Sequence, residues 1–260
     1  MTLNVWNLDG PWRERRVEIV GWLSRVDADL ICLQEIVEGT DGQNQAQWLA
    51  EEVGAYSVAY GGRDVGGGIL VGNAVLSRWP IESSSDIDLP STADTEGEVP
   101  RLAVHARTGG ADVYSTHLNF RYEDGVVREA QVQVLADFVR DTADPASEMP
   151  PVIGGDFNAE PDSTEMRYLL GLTSLVGRSV YFQDAWRVGG GRGPGYTWDN
   201  RNTFAQAEHE PDRRIDYVLV GWRRPGGAGR VESAAVVCDR ALTGTFASDH
   251  FGVVADLLSP

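Results

Sequence analysis

Short apolar runs separated by turn residues recur along most of the chain. Nine of them have the β-branched and aliphatic composition of strands, at residues 3–6, 29–34, 68–77, 102–107, 112–118, 151–155, 215–220, 231–238 and 251–258. Apolar residues at helical spacing predict helices over 13–25, 126–140 and 163–171. This mixture predicts an α/β protein in which layers of sheet and helix surround one core.

Each predicted helix has an apolar face that we expect to pack against a sheet. These faces are Val17, Val20, Gly21 and Leu23 in the first helix, Val127, Ala130, Val134, Leu135 and Phe138 in the second, and Met166, Leu169 and Leu170 in the third. Neither an internal repeat nor a low-complexity linker divides the chain, so we expect residues 1–260 to form a single domain.

Polar side chains collect at the ends of these strands. Four strands end in an amide, acid or imidazole, namely Asn7, Glu35, the pair His117 and Asn119, and the pair Asp156 and Asn158. Two later strands begin with such residues, Asp216 in one and Asp249 with His250 in the other. If all six positions meet at one edge, the last two strands run opposite to the first four, which predicts mixed or antiparallel sheets. Residues i and i+2 of a strand share a face, so each pair can serve one pocket.

Each of these residues also has an ordinary structural explanation. Glu35 alone is typical of a solvated strand end, and the segment around Asp156 has the Gly, Asp, Asn and Pro content of a turn. His117 alone is compatible with a hydrogen-bonded core histidine. Asp216 differs because it interrupts an apolar strand, and a buried carboxylate needs a partner, for which a histidine is a good candidate. Six such positions in one chain favour a shared site over six coincidences.

The amino-acid composition excludes several kinds of active site. The net charge is −17 and all 22 basic residues are arginines, which excludes a Schiff-base lysine and a P-loop lysine. So acidic a chain lacks the general positive field that binds long nucleic acids, although a local arginine-lined groove is still compatible with it. Cys32 and Cys238 lie in apolar runs and predict buried thiols, with neither a disulfide framework nor a zinc site.

The apolar runs are too short for a membrane helix, which needs about 18 residues or more. We therefore expect no integral membrane association. The first residues lack the basic and apolar regions of a signal peptide, so the cytoplasm is the predicted compartment. We expect a monomer.

Six segments in order resemble the motifs of the endonuclease/exonuclease/phosphatase superfamily, which includes DNase I, exonuclease III and neutral sphingomyelinases. They are VWNLDG, LICLQE, YSTHLN, VIGGDFNAEP, RIDYVLV and SDHFGVV, and they extend over residues 7 to 250. The resemblance implies a DNase I-like four-layer α/β/β/α sandwich, in which two packed mixed or antiparallel sheets are flanked by helices. It also implies a metal-dependent phosphoesterase.

The candidate ligands favour Mg²⁺, with Mn²⁺ as a substitute, because carboxylate and amide oxygens are hard donors. Glu35 is the expected main ligand, with Asn7 beside it. Asp249 contributes through water, or directly if a second ion binds.

The candidate catalytic residues divide into three roles. Asp156 is the expected general base for an attacking water, and Asn158 orients the water or the phosphate. His250 paired with Asp216 faces the charge that develops at phosphorus, although the resemblance leaves the division of labour between His250 and Asp156 open. The candidates for holding the substrate are His117, Asn119, Arg101 and Trp198, the last in a TWDN segment similar to that of several branches of the superfamily.

The expected substrate is DNA, RNA or a nucleotide-like ester, cleaved by a phosphodiesterase or nuclease. The main alternative is a phosphatase or a sphingomyelinase-like phosphodiesterase acting on a small head group, which the acidity of the chain favours. A non-catalytic binding module with the same fold has the least support, because every expected catalytic position is filled.

Overall fold

A computed structural model describes residues 1–54, 56–91, 99–191 and 193–260. Two six-stranded sheets account for the strands of these ranges. In spatial order the first sheet contains β11 (Val231–Val237), β12 (Gly252–Leu257), β1 (Thr2–Asn4), β2 (Leu30–Glu38), β4 (Leu70–Ser77) and β3 (Ser57–Asp64). The second contains β5 (Ile81–Asp88), β6 (Leu102–Thr108), β7 (Ala111–His117), β8 (Val152–Asp156), β10 (Asp216–Val220) and β9 (Gln183–Asp184). The helices are α1 (Trp12–Val26), α2 (Gln45–Val53), α3 (Gly125–Thr142), α4 (Thr164–Leu169), α5 (Ala185–Gly189) and α6 (Thr203–Ala207).

Alternating side chains build the layers. Along β2, Ile31 and Leu33 face helices α1 and α2, whereas Cys32 between them packs against the second sheet. On the far side, Tyr114 and Tyr217 of the second sheet pack under α3 and α4. The order helix, sheet, sheet, helix confirms the expected α/β/β/α sandwich.

Strand directions bring the polar strand ends to one edge. β1 runs parallel to β2 and β7 parallel to β8, so that His117 pairs with Asp156. β12 runs antiparallel to β1, and β10 antiparallel to β8, with Asp216 opposite Asp156. β10 and β12 thus begin at the edge toward which β1, β2, β7 and β8 run. The expectation of mixed sheets is confirmed.

Two glycines allow β8 to pack closely at this edge. A Cβ atom at Gly155 would lie 2.4 Å from the carbonyl oxygen of Thr116, and one at Gly154 would lie 2.7 Å from Cβ of Cys32. Any larger residue would therefore push β8 away from β7 or from the first sheet.

Several elements differ from the prediction. The strands β3, β5 and β9 and the helices α2, α5 and α6 were not expected. β5 has the sequence IESSSDID and is mostly exposed, because it is an edge strand paired with β6 alone. The predicted inward face of α1 is wrong at Val17, which is 54% exposed. The helix instead turns Arg15, Glu18 and Trp22 inward, since the first two hold loops by hydrogen bonds.

The other helix faces largely follow the prediction. In α3, Val127, Leu135 and Phe138 are buried, whereas Ala130 and Val134 are half-buried. Cys32 and Cys238 are buried free thiols, as expected. No helix in the described ranges is both long and apolar enough to traverse a bilayer.

Candidate active site

Asp156, the last residue of β8, is the centre of the polar cluster at this edge. Its Oδ2 accepts a hydrogen bond of 3.1 Å from Nδ2 of Asn4, the last residue of β1. The same oxygen lies 3.2 Å from Nε2 of His117 and 3.6 Å from Nε2 of His250. The ends of β1 and β7 and the segment before β12 thus converge on the carboxylate at the end of β8, which is 1% exposed.

Asp216, the first residue of β10, holds His250 in place. Its Oδ2 lies 2.9 Å from Nδ1 of the His250 ring. An ionised carboxylate can only accept, so Nδ1 carries a proton and Nε2 is directed toward Asp156. Trp198 packs edge-on against the ring, with 5.0 Å between centroids. The completely buried Asp216 therefore has the histidine partner that its burial requires.

The charges of this pair are coupled to Asp156. Burial alone lowers the pKa of His250, but the carboxylates of Asp216 and Asp156 outweigh burial and raise that pKa well above its ordinary value. Burial alone raises the pKa of Asp156, but the neighbouring His250 and His117 rings outweigh it and keep the pKa below its ordinary value. At neutral pH the site therefore contains an imidazolium beside an ionised carboxylate.

A β-bulge turns Glu35 toward the same cleft. The pairing of β2 with β4 shifts register between Leu33 and Ile36, and Glu35 has a left-handed φ of 58°. Bulges re-aim side chains in this way next to active sites. Oε1 of Glu35 accepts from Nδ2 of Asn4 at 3.1 Å, and Oε2 accepts from Nδ2 of Asn7 at 3.2 Å. Two asparagines thus fix the position of this carboxylate.

Four of the eight non-glycine residues that have positive φ angles in the described ranges lie around the cleft. Trp6, Asn7, Glu35 and Asn158 all have positive φ angles, between 34° and 58°. Each such residue costs on the order of 1–3 kcal/mol and persists only where its surroundings hold it. Strain at residues with polar side chains beside a cleft is typical of a functional site.

Arg15 of α1 holds the strained loop that carries Asn7. Its guanidinium is completely buried. It donates hydrogen bonds of 2.7–3.2 Å to the backbone carbonyls of Val5, Trp6, Asn7, Asp9 and Ala247. Burial lowers the pKa of Arg15 to about 10, so the side chain stays charged at neutral pH. One cation thus joins the loop after β1 to the segment that precedes Asp249.

His117 links Asp156 to Arg101. A guanidinium nitrogen of Arg101 lies 2.9 Å from Nδ1 of His117. The same nitrogen lies 3.2 Å from Nε2 of His117, the ring atom that faces Asp156. Nδ2 of Asn158 lies 3.0 Å from Nε2 of His117 and donates to the carbonyl of Leu118, while the Asn158 backbone N–H donates to Asp156. Asp156 and Asn158 therefore form a turn and contribute to the cluster at the same time.

The oxygen donors near Glu35 fit a hard divalent cation. Burial raises the pKa of Asp249 to about 7; the His250 charge opposes this rise, and the Glu35 carboxylate adds to it. A cation between Glu35 and Asp249 would relieve that repulsion, and Asn7 offers an amide oxygen. Such donors suit Mg²⁺ or Mn²⁺.

A second group of possible ligands lies beside them. Asp156, Asp216 and His250 bring three ligand atoms within 4.8 Å of one another. A protonated imidazole has no lone pair to offer a metal, however, so the charge state of His250 favours the Glu35 position.

The cleft has two lobes that share Glu35, Arg101 and His117. The lobe that we call the polar lobe has a volume of about 280 Å³. Its lining includes Asp156, Asn158, Trp198, Arg213, Asp249 and His250. The lobe that we call the apolar lobe has a volume of about 270 Å³ and also borders Asn7. Its lining includes Leu8, Val37, Ile69, Val71, Val99 and Leu102.

The structure thus brings together ten of the eleven residues singled out in the sequence. Nine of these ten line one lobe or the other. The tenth, Asp216, lies behind His250. The eleventh, Asn119, lies buried two residues beyond His117, with its Oδ1 accepting from the backbone N–H of Arg121. It is not among the residues described as lining the cleft.

Two residues at the site were missed. Asn4 bridges Glu35 and Asp156, and Arg15 holds the loop between β1 and α1. The signal for Asn4 was an amide inside the apolar run LNVW, which needs a partner when the strand is buried. No pattern distinguishes Arg15 from the neighbouring arginines of α1, Arg13 and Arg16, which are more exposed.

Comparisons with known proteins agree with this geometry. The model of the Endonuclease/Exonuclease/phosphatase family matches residues 1–250. The uncharacterized protein YbhP of Escherichia coli K12 is 33% identical over 145 residues, which cover 51% of this chain and 54% of YbhP. The chain thus matches about half the length of this curated relative.

Solved structures share the fold. An endonuclease/exonuclease/phosphatase from Bacteroides vulgatus superposes with a TM-score of 0.74 at 20% identity, covering 100% of this chain and 97% of that one. TDP2 of D. rerio, complexed with a single-strand DNA product, gives 0.76 at 20% identity and covers 99% and 97%. Fold and family model agree, and the chain belongs to the Endonuclease/Exonuclease/phosphatase family.

Proposed function

We propose that the protein is a Mg²⁺-dependent phosphodiesterase. The observation that carries the proposal is the placement of the Asp156 carboxylate 3.6 Å from the His250 ring, with Glu35 joined to Asp156 through Asn4. Hydrolysis of a phosphodiester uses a carboxylate that accepts a proton from water, a positive charge beside the phosphoryl oxygens and a site for a divalent metal ion. Asp156, His250 and Glu35 are the candidates for these three roles in the cleft.

Glu35, Asn7 and Asp249 would hold the ion. Bound Mg²⁺ supplies polarisation of a phosphoryl oxygen and stabilisation of the leaving oxyanion. Asn4 keeps Glu35 in position, because its Nδ2 donates to Glu35 and to Asp156.

The chain's own residues do the remaining work. Asp156 accepts a proton from the attacking water, and its low pKa keeps it ionised, so its contribution rests on position more than on basicity. His250, held by Asp216, faces the negative charge that develops at phosphorus. His117, Asn158 and Arg101 orient the phosphate.

Two observations bear on the substrate. D. rerio TDP2, whose fold is similar, was crystallised with a single-strand DNA product, which supports a phosphodiester of the nucleic-acid type. The acidity of this chain instead favours a short substrate. The arginines among the residues described for the two lobes are Arg101 and Arg213, beside the His250 imidazolium, and the polar lobe also contains the carboxylates of Asp9, Glu35, Asp156, Glu210 and Asp249.

Hydrolysis of bis(p-nitrophenyl) phosphate with and without Mg²⁺ tests the proposal. We expect turnover that requires the ion, that is abolished by a chelator and that is lost in Asp156→Asn. Equal turnover in chelator would contradict it, and absence of turnover on any diester would favour a binding module.

The salt dependence of kcat/KM separates the two substrate classes. Binding of an oligonucleotide through several phosphates weakens steeply as salt rises. Hydrolysis of a small head-group diester changes little over the same range.

A further inference from the structure

The apolar lobe exposes large hydrophobic side chains to solvent. Leu8 is 49% exposed, Ile69 41% and Val99 39%, and all three line the lobe. Beneath them lie the buried Val37 and Leu102. Contiguous apolar surface around a cleft marks a binding site for an apolar group.

This surface is continuous with the phosphate position. Glu35, Arg101 and His117 line the apolar lobe and the polar lobe alike. A phosphate held between these residues therefore extends one ester substituent into each lobe.

The apolar surface continues beyond the lobe. Leu8 and Val37 also line an adjoining hollow of about 270 Å³, whose further walls include Trp12 and Trp48. The two rings meet edge-to-face, with 6.4 Å between centroids. The apolar surface therefore extends past one pocket into a second, which offers an alkyl chain further surface to bury.

The geometry of displacement decides which substituent lies there. If Asp156 activates the attacking water, as proposed above, that water approaches phosphorus from the polar lobe and an in-line leaving group lies opposite. We propose that the apolar lobe binds the leaving alcohol and that this alcohol is an aliphatic chain; this rests on the phosphodiesterase function proposed above.

The reaction balances with water as the second substrate. The water oxygen bonds to phosphorus while the bond from phosphorus to the alkyl oxygen breaks, and the electron pair stays on that oxygen. The proton that Asp156 receives returns through solvent to the alkoxide. The products are a long-chain alcohol and a phosphomonoester of the other substituent.

Charge argues against a nucleic-acid strand as the occupant. The lining described for the apolar lobe contains one arginine, Arg101, which lies with His117 at the phosphate position itself. In the hollow the guanidinium of Arg16 lies over the Trp48 ring, 5.1 Å from its centroid, and Asp41 lies nearby. A run of phosphates would meet few cations there.

Binding of phosphonates tests the proposal without relying on turnover. Methylphosphonate, phenylphosphonate and n-octylphosphonate are titrated calorimetrically into the full chain with Mg²⁺. Because burial of one methylene tightens binding about 4-fold, we expect octylphosphonate to bind at least about 50-fold more tightly than methylphosphonate, with phenylphosphonate between them.

A double variant localises the effect. Ile69→Asn with Val99→Asn changes two exposed side chains of the apolar lobe, and we expect it to remove at least about 10-fold of the octyl preference while methylphosphonate binds as before. Val176→Asn is the matched control, because Val176 is 86% exposed and outside both lobes, and it retains the full preference.

Three results would overturn the proposal. They are equal affinity for octyl- and methylphosphonate, tighter binding of phenyl- than octylphosphonate, and tighter binding of an octathymidylate than of octylphosphonate. Turnover of bis(p-nitrophenyl) phosphate separates failure of this proposal from failure of the phosphodiesterase function. If turnover is observed but octylphosphonate is not preferred, the assignment of the leaving alcohol alone fails. If it is absent, the phosphodiesterase function fails.

Discussion

His250 with Asp216 and His105 with Asp112 are both buried histidine–aspartate pairs, but their surroundings differ. His250 and Asp216 are 2.9 Å apart at the strand edge described above. His105 of β6 and Asp112 of β7 are 2.8 Å apart, and both are buried. Distance and burial alone do not distinguish the two pairs.

The charges around each aspartate do distinguish them. Asp112 also accepts hydrogen bonds from Arg107 and from the backbone N–H of Asp144, and the His105 ring stacks on Tyr114 with 4.7 Å between centroids. Both oxygens of Asp112 therefore have hydrogen-bond partners, and the Arg107 guanidinium balances the charge of the carboxylate. The free nitrogen of His250 instead points to a further carboxylate beside a cleft. We therefore expect a catalytic role for His250, whose second nitrogen lies beside a carboxylate that lines the cleft, and a structural role for His105.

The largest expected effect is on His250. We expect His250→Ala to lower kcat at least about 100-fold, the size typical of losing an acid–base group, because the cation facing the phosphoryl charge is removed. Steady-state kinetics with saturating Mg²⁺ measures it. A kcat within a few-fold of wild type would mean that the two pairs are equivalent after all.

A smaller effect is expected from Asn4→Ala. Partners that orient a metal ligand are worth about 10–100-fold in metal affinity or activity, and Asn4 orients Glu35. Mg²⁺ titration of activity, with the melting temperature as a control for folding, measures it. An unchanged Mg²⁺ affinity in a folded variant would show that Asn4 has a role in packing alone.

The contributions of Asp249 and Asp112 to the free energy of unfolding should change with pH in opposite directions. Burial raises the pKa of Asp249 from 3.8 to about 7, so its contribution to stability is fully present below 3.8 and is lost as pH rises through about 7. Burial opposes but does not prevent the lowering of the Asp112 pKa by His105, the Asp144 backbone and Arg107. The Asp112 contribution is therefore present above 3.8 and is lost as pH falls.

Metal-free melting curves check these signs. We expect Asp249→Asn to raise the melting temperature at pH 8 and to change it little at pH 4. Asp112→Asn should lower it at pH 8, with a smaller loss in acid. The same pH dependence for both variants would contradict the assigned shifts.

The smallest expected effect on catalysis comes from His105. His105→Ala removes a ring that contacts Tyr114, Phe138 and Asp112, so we expect a lower melting temperature with kcat within about 2-fold of wild type, as a structural role far from the reacting atoms implies. A loss of kcat comparable to that of His250→Ala would remove the distinction between the pairs.

Much of the architecture followed from local patterns, because strand composition and polar strand ends are properties of short segments. The polar edge could be predicted for the same reason, and Asp216 required a partner wherever the chain folded. The bulge at Glu35 could not be predicted, since it depends on how β2 pairs with β4. β5 was not predicted because an exposed edge strand carries few apolar residues. Arg15 was not predicted because its five carbonyl partners come together only in the folded loop.

Mg²⁺ binding by calorimetry, measured on the same preparations as turnover, tests the division of roles most directly. We predict that Glu35→Gln loses both ion binding and hydrolysis, whereas His250→Ala binds Mg²⁺ like wild type and hydrolyses almost nothing. Retained binding in Glu35→Gln with lost binding in His250→Ala would contradict this, and would place the ion among Asp156, Asp216 and His250 instead.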